Sequence, residues 1–396
     1  GNGYQIMEAQ LERVEAGKAE SYARGISGCL VRENAIRKNM PEQVTFLQMY
    51  GCELVEELDC RARGRQGRPE VRMKVPIGIG QGEESCFLDV HEKFHGPHGL
   101  IAGTTGSGKS ELLQTYLMSL AVNFGPEEIN FFMIDYKGGG TGNMLMELPH
   151  CAGVVSNLSG RQMARAMSAI KSENKRRQAL LAKYQVNHIN AYMEQYRLKA
   201  DREPMPHLLL VIDEFAELKK EEPEFMQEII SLSQVGRSLG VHLIRATQKP
   251  AGTVDDRIWS NARFRLCLRV QDKQDSMDVL HSADAAFLTN PGQCCFQIGG
   301  GTFYELFQAG YLGEAYSGRK KGEPRVFLLD HTGKRISLHE EKEKGRETQL
   351  EAVLRYIGRI AEEEGKKRAK KLWMPELPEK INLTLEDNFR NYLKNG

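Results

Sequence analysis

With 396 residues, 40% of them apolar, the chain is long enough for one large packed domain with appendages or for two domains, and is globular in composition. Its 54 Lys and Arg offset 53 Asp and Glu to a net charge of +1, which excludes a surface basic overall, as a coat for nucleic acid would need, while leaving room for a local basic stripe. Eight cysteines without a C-x-x-C pair, and histidines without zinc spacing, argue against a disulfide framework or structural metal and for a reducing compartment. No run approaches the roughly 18 apolar residues of a membrane-spanning helix. The chain opens at Gly1 with no signal peptide, so it reads as a piece whose membrane segments, if any, lie elsewhere.

Residues 4–16 place Ile6, Met7, Leu11 and Val14 at helical spacing, with Gly17 as the stop. Asn39 and Pro41 ahead of Val44, Phe46, Leu47 and Tyr50 predict a second helix ending near Gly51. The five arginines of 61–72 read as a solvated loop rather than a dock for an acidic partner. Strand-like runs at 71–79 and 85–90 form a hairpin, and the glycines at 78, 80 and 82 mark a turn rather than a nucleotide loop. From 98 to 316 apolar strands alternate with amphipathic helices, the pattern of a mainly parallel sheet with helices on both faces. Strands are predicted at 100–102, 130–134, 208–212, 241–246 and 264–270, long helices near 161–184 and 224–239, and late strands at 293–298 and 304–309. Beyond 317 the run GRKKGEPR breaks the pattern. Short strands at 326–329 and 336–338 follow, then a helix with Leu350, Leu354, Ile357 and Ala361 on one face. A solvated basic run KKRAKK leads to a tail extended by Pro375 and Pro378. The chain thus divides into an appendage over 1–75, an α/β domain over 76–317 and a connector over 318–396.

The chemistry concentrates in Gly103, Thr104, Thr105, Gly106, Ser107, Gly108, Lys109 and Ser110, which satisfy G-x-x-x-x-G-K-[ST] between a strand and a helix. The glycines let backbone N–H groups turn onto phosphates, Lys109 reaches the terminal phosphates, and the Ser110 hydroxyl is the expected magnesium ligand. Glu111 closes this nucleotide-contacting stretch at the start of the helix, whose positive end faces the same anion.

About a hundred residues on, an apolar strand from His207 ends in Asp213 and Glu214. Asp213 is assigned to the magnesium shell and Glu214 to polarising the attacking water. Paired acids also favour a helix N-terminus, but the phosphate loop in the same chain decides for catalysis. Such a pair further predicts an extra strand between the two motif strands, as in motor-type ATPases. That strand is the run from Val241, whose Thr247 and Gln248 either meet the γ-phosphate or water or are turn residues before Pro250. A transition-state cation supplied by a neighbouring subunit has four candidates, Arg161, Arg165, Arg176 and Arg177, each read from composition first as a solvated helix residue. Asp135, Tyr136 and Lys137 before three glycines shape the crevice or form a turn.

The segments GTTGSGKSELLQ, IDYKGGG, VIDEFAEL, GRSLGVHLIRATQKP and IWSNARFRL, in this order and spacing, resemble the FtsK/SpoIIIE ATPases over about 35–317. More narrowly they are similar to the first ATPase domain of the EccC/EssC proteins of type VII secretion, with LWMPELPEKI resembling the linker to a second ATPase domain. The resemblance implies a RecA-like (ASCE) P-loop fold that hydrolyses ATP with Mg2+. It also implies a ring or stack of ATPase domains or subunits, a homo-oligomer that is hexameric when assembled. It further implies anchoring at the cytoplasmic face of the cell membrane beside other secretion components, and WXG-type helical substrates docking mainly on a later domain. The family's arginine finger carries over to Arg165. One departure is Arg245, where the family's strand carries an aliphatic residue; an arginine near the crevice could pair with Glu214. Two alternatives remain: a double-stranded DNA translocase, disfavoured by the balanced charge and by the lack of a winged-helix module after 317, and a nucleotide-binding regulatory module with little turnover.

Overall fold

The computed structural model describes residues 40–136, 138, 140–156, 160–198, 202–250, 256–318, 328–329, 335–336 and 347–373. The helix expected over 4–16 and the Pro375–Pro378 tail lie outside these residues. Eleven strands form one mixed sheet. They are β1 (Val44–Thr45), β2 (Lys74–Gly80), β3 (Ser85–Asp89), β4 (Gly99–Ala102), β5 (Ile129–Asp135), β6 (Cys151–Ser156), β7 (His207–Asp213), β8 (Val241–Thr247), β9 (Phe264–Leu268), β10 (Gln293–Ile298) and β11 (Phe303–Tyr311). Their order is β3-β2-β11-β10-β9-β4-β8-β7-β5-β6, with β1 also on β11. The half from β9 to β6 is parallel throughout. The wing from β9 through β10, β11 and β2 to β3 is antiparallel: β2 and β3 form the hairpin expected from 71–79 and 85–90, while the antiparallel joining of β9 to β10 and of β11 to β2 was not predicted. A separate antiparallel pair joins β12 (Leu328–Leu329), inside the predicted strand 326–329, to β13 (Arg335–Ile336), which meets the predicted strand 336–338 only at Ile336.

All seven residues of each of β5, β7 and β8 are buried, so both faces of the parallel half are covered. The two-residue strand period sorts the core: Phe131 and Met133 join one cluster, while Phe132 and Ile134 join the other. Among the helices are α1 (Phe46–Met49), α2 (Cys60–Gln66), α3 (Lys109–Asn123), α4 (Gly140–Glu147), α5 (Gly160–Lys183), α6 (Ile189–Leu198), α7 (Phe215–Glu221), α8 (Pro223–Gly236), α9 (Asp256–Asn261), α10 (Lys273–Leu280) and α11 (Gln349–Glu363). On the first face α3, α4 and α11 share a cluster that also takes in Phe46, Leu47 and Leu58. On the second face lie α5, α6, α7, α8 and α10.

Several local expectations change. The helix predicted around 44–50 shrinks to α1, because Val44 and Thr45 pair with β11 and Thr45 then caps the helix in a capping box with Gln48. Part of the arginine-rich loop is the helix α2, whose N-cap Asp59 accepts from the Ala62 amide at 3.2 Å. Its arginines are not all solvated: Arg63 lies 5.0 Å over the Tyr50 ring, and Arg72 pairs with the buried Asp89 at 2.8 Å. The helix predicted from 224 starts at Pro223, which supplies its fixed φ at the first turn, and is preceded by α7. Strand β6 was not foreseen. Helix α11 is a packed element: Thr348 and Glu351 close a capping box, and Val353, Ile357 and Ile360 enter the first core cluster. Among the described residues seven cysteines are free thiols, no group of side chains has metal-binding geometry, and no helix is long and apolar enough to cross a membrane.

Candidate nucleotide site

Strand β4 delivers the chain to the loop, and neighbouring strand ends hold the loop in place. The Gly103 amide donates to the Thr247 carbonyl at 3.1 Å, and the Thr104 amide and hydroxyl both donate to the Arg269 carbonyl, at 3.0 and 3.1 Å. Within the loop Ser107 N–H closes a turn on Thr104 O at 3.0 Å. Gly106 (φ 75°) and Gly108 (φ 96°) take the left-handed conformations that this path requires. A Cβ at Gly106 would meet nothing within 4 Å, so the loop has an open side there. Helix α3 starts on Lys109 with no side chain capping it, leaving its first N–H groups for an anion.

Strand β8 lies between β4 and β7, as the acid pair predicted, and brings the second motif beside the first. Lys109 is only 3% exposed; its ammonium pairs with Asp213 and lies 3.3 Å from Glu214 Oε1. Asp213 sits in register with Asp135 of β5, which accepts the Gly138 amide at 2.9 Å. Glu214 holds φ 57°, ψ 44°, a conformation uncommon outside glycine, with its amide 3.0 Å from Asp213 Oδ1. Its Oε2 accepts the Gln248 amide at 3.4 Å, while the Gln248 side-chain oxygen accepts the Thr105 hydroxyl at 2.9 Å. Gln248 therefore spans from the phosphate loop to the carboxylate pair. Thr247 is buried and its hydroxyl is engaged with the backbone of Lys249, as a turn residue would be. Ser110 is exposed at the helix start, and burial pushes the Glu111 carboxyl above its usual range.

These residues fit a magnesium polyphosphate. The hydroxyl and carboxylate oxygens of Ser110 and Asp213 are the hard donors that such a cation takes. The open face at Gly106 and the uncapped first turn of α3 suit phosphate oxygens.

The arginines separate sharply. Arg177 is buried, bonded to Glu173 and to the Leu239 carbonyl, and Arg176 pairs with Glu173 and Glu203; both staple α5 to its surroundings rather than being solvated. Arg161 is exposed. Arg165 stacks 4.6 Å over the Trp373 ring, and the Trp373 amide reaches Ala152 of β6. Strand β6 is the far edge of the sheet, four strand spacings from β4, about 19 Å at the usual spacing. Arg165 is thus out of reach of its own phosphate loop. Arg245 is fully buried in β8, aligned with Leu100 and Ile212. Sequence reasoning missed the contribution of Arg269 and of Gly292, whose amide donates to the Ser107 carbonyl at 2.8 Å. The Asn290-Pro291-Gly292 turn was a readable signal for the second.

The sequence profile of the FtsK/SpoIIIE family matches residues 54–252. The type VII secretion system protein EssC of Staphylococcus aureus (strain Mu50) is 43% identical over 381 residues, covering 93% of this chain and 26% of EssC. The ESX secretion system protein YukB of Bacillus subtilis (strain 168) is 44% identical over 88% of this chain and 24% of YukB. The chain therefore spans about a quarter of the length of these relatives. Among solved structures, the cytoplasmic domain of the Thermomonospora curvata type VII secretion ATPase EccC superposes with a TM-score of 0.70 at 28% identity, over 85% of this chain and 36% of that one. On this profile match, and on the fold shared with EccC, the chain belongs to the FtsK/SpoIIIE family of P-loop ATPases.

Proposed function

We propose that this chain binds ATP with Mg2+ and hydrolyses it as one motor unit of a membrane-anchored type VII protein-secretion ATPase that exports small helical WXG-type proteins. The observation that carries the enzymatic part is the buried Lys109 ammonium shared by Asp213 and Glu214 at the mouth of the phosphate loop. A polyphosphate entering the loop competes with both carboxylates for that ammonium. Lys109 then binds phosphate oxygens, and Glu214 is left free to accept a proton from the attacking water. Gln248 turns between Thr105 and that water, and so orients it. Mg2+, held by Ser110 and Asp213, supplies neutralisation of the phosphate charge when bound. The backbone N–H groups of Gly106, Gly108, Lys109 and Ser110 are the donors offered to the same charge, while that of Ser107 stays in its turn with Thr104.

A cation for the transition state comes on this reading from Arg165 of a neighbouring copy or ATPase domain, in a hexameric or stacked assembly. The position of Arg165 at the β6 edge, remote from its own loop, supports an action across subunits. The secretion assignment, with its substrates, membrane anchor and further ATPase domains, rests on the likeness to EssC, YukB and EccC. ATP turnover measured with and without double-stranded DNA tests it: turnover indifferent to DNA is expected, and strong stimulation would transfer the chain to the DNA translocases of the same family.

A further inference from the structure

The antiparallel wing contributes no residue to the nucleotide motifs, yet its first connection touches the phosphate loop. Gly292, just before β10, adopts φ 82° and places its N–H 2.8 Å from the Ser107 carbonyl. The contact is too close for side chains. A Cβ on Gly108 would stand 2.8 Å from the Gly292 nitrogen, and one on Gly292 would stand 2.4 Å from Gln308 Nε2. Gln308, on β11 and 3% exposed, donates that same Nε2 to the Pro291 carbonyl at 2.9 Å, while the Ala309 amide holds the Gly292 carbonyl at 2.9 Å. Gly292 is thus gripped on both sides by β11 before it reaches the loop.

The consequence follows from peptide geometry. The Ser107 carbonyl and the Gly108 N–H belong to one planar trans unit and point in opposite directions. Drawing that carbonyl toward Gly292 turns the Gly108 N–H away from the wing, toward the face where α3 begins. The glycine at 108 has no rotamer or Cβ of its own to hold this orientation, and at φ 96° it could rotate freely were the carbonyl released. We infer that Gly292 and Gln308 are positioning residues for the nucleotide: through the Ser107 carbonyl they aim the Gly108 N–H at the bound phosphates. The inference rests on the polyphosphate reading of the loop, and concerns how the loop is held rather than what it binds.

The test uses two substitutions of different severity, Gln308→Met, which removes the Nε2 donor at similar volume, and Gly292→Ala, which strains the contact directly. Dissociation constants for MgATP and for inorganic triphosphate are measured by calorimetry alongside the melting temperature and the turnover parameters. In both variants both ligands are expected to weaken on the order of tenfold, the equivalent of about one hydrogen bond, with the loss falling on KM more than on kcat. For Gln308→Met the melting temperature should move by only a few degrees, since the loss of one hydrogen bond shifts a domain of this size by roughly that much. Wild-type affinity for inorganic triphosphate in both variants, or losses that only track the fraction unfolded, would overturn the inference. Wild-type protein that binds neither ligand would instead defeat the underlying ATP reading.

Discussion

The two halves of the sheet divide labour in a way that their sequences do not advertise equally. The parallel half carries each motif residue at a carboxyl end: Gly103 to Ser110 after β4, Asp213 closing β7 with Glu214 after it, Thr247 closing β8 with Gln248 after it. The antiparallel wing carries none, yet shares one apolar cluster with α3 and α11 and reaches the loop through Gly292. Chemistry thus sits where parallel strand ends leave backbone and side chains free for ligands. The wing supplies rigidity through paired strands that leave few groups unsatisfied. A motif search finds the first kind of region and passes over the second.

The sharpest way to separate chemistry from support is Glu214→Gln. Turnover is expected to drop by about 10²–10⁴-fold while nucleotide affinity is retained, since only the proton acceptor is lost. Mixing this variant with Arg165→Ala should restore part of the turnover, each copy supplying what the other lacks. Normal hydrolysis by Glu214→Gln would remove Glu214 from the base role.

The next test breaks the comparison from the other side. Ile357→Ala in α11, remote from every motif, should destabilise the whole chain by about 2–5 kcal/mol, because Ile357 is 4% exposed in the cluster that α3 also fills. Urea unfolding followed by both near-ultraviolet and far-ultraviolet signals should shift as one transition. An early, separate transition would show that α11 and the parallel half are independent units.

A smaller effect concerns acid. Burial holds His150 down to about 4 and His242 down to about 3, and burial together with the charge of His242 keeps His207 well below the usual imidazole range. All three sit in the parallel half, at the feet of β6, β7 and β8. Their folded-state values lie below the unfolded one, so the unfolded chain binds more protons. Their contribution is present above about pH 6.5 and is lost as pH falls toward 4. Between pH 7 and pH 5 His150 and His242 should each cost on the order of 2 kcal/mol, and His207 acts in the same direction. The urea midpoint is expected to fall accordingly, and His150→Gln should recover its share. Equal midpoints at both pH values would contradict the neutral burial of these rings.

The phosphate loop was legible because its spacing encodes backbone conformation directly: Gly106 and Gly108 stand where φ must be positive. The carboxylate pair was legible because an unbroken apolar run from Leu208 to Ile212 ending in Asp213 and Glu214 has few other readings. The hairpin of β2 and β3 was legible too, but the antiparallel joining of β10 to β9 and of β11 to β2 was not, since short strands of either sense look alike in composition. The fates of the arginines were equally hidden, because Arg165, Arg176 and Arg177 lie on one helix yet one stacks on Trp373, one bridges two glutamates and one is buried.

By itself the sequence determined the strands of the parallel half other than β6, the residues of the phosphate loop and the strand ends that carry the acids, for these depend on neighbours a few positions apart. Only the tertiary structure decided that Lys109 lies between Asp213 and Glu214, that Arg165 stands four strands from its own loop, and that Gly292 steadies Ser107. Those contacts join segments tens to nearly two hundred residues apart. Strand order and packing bring them together, and no local periodicity records either.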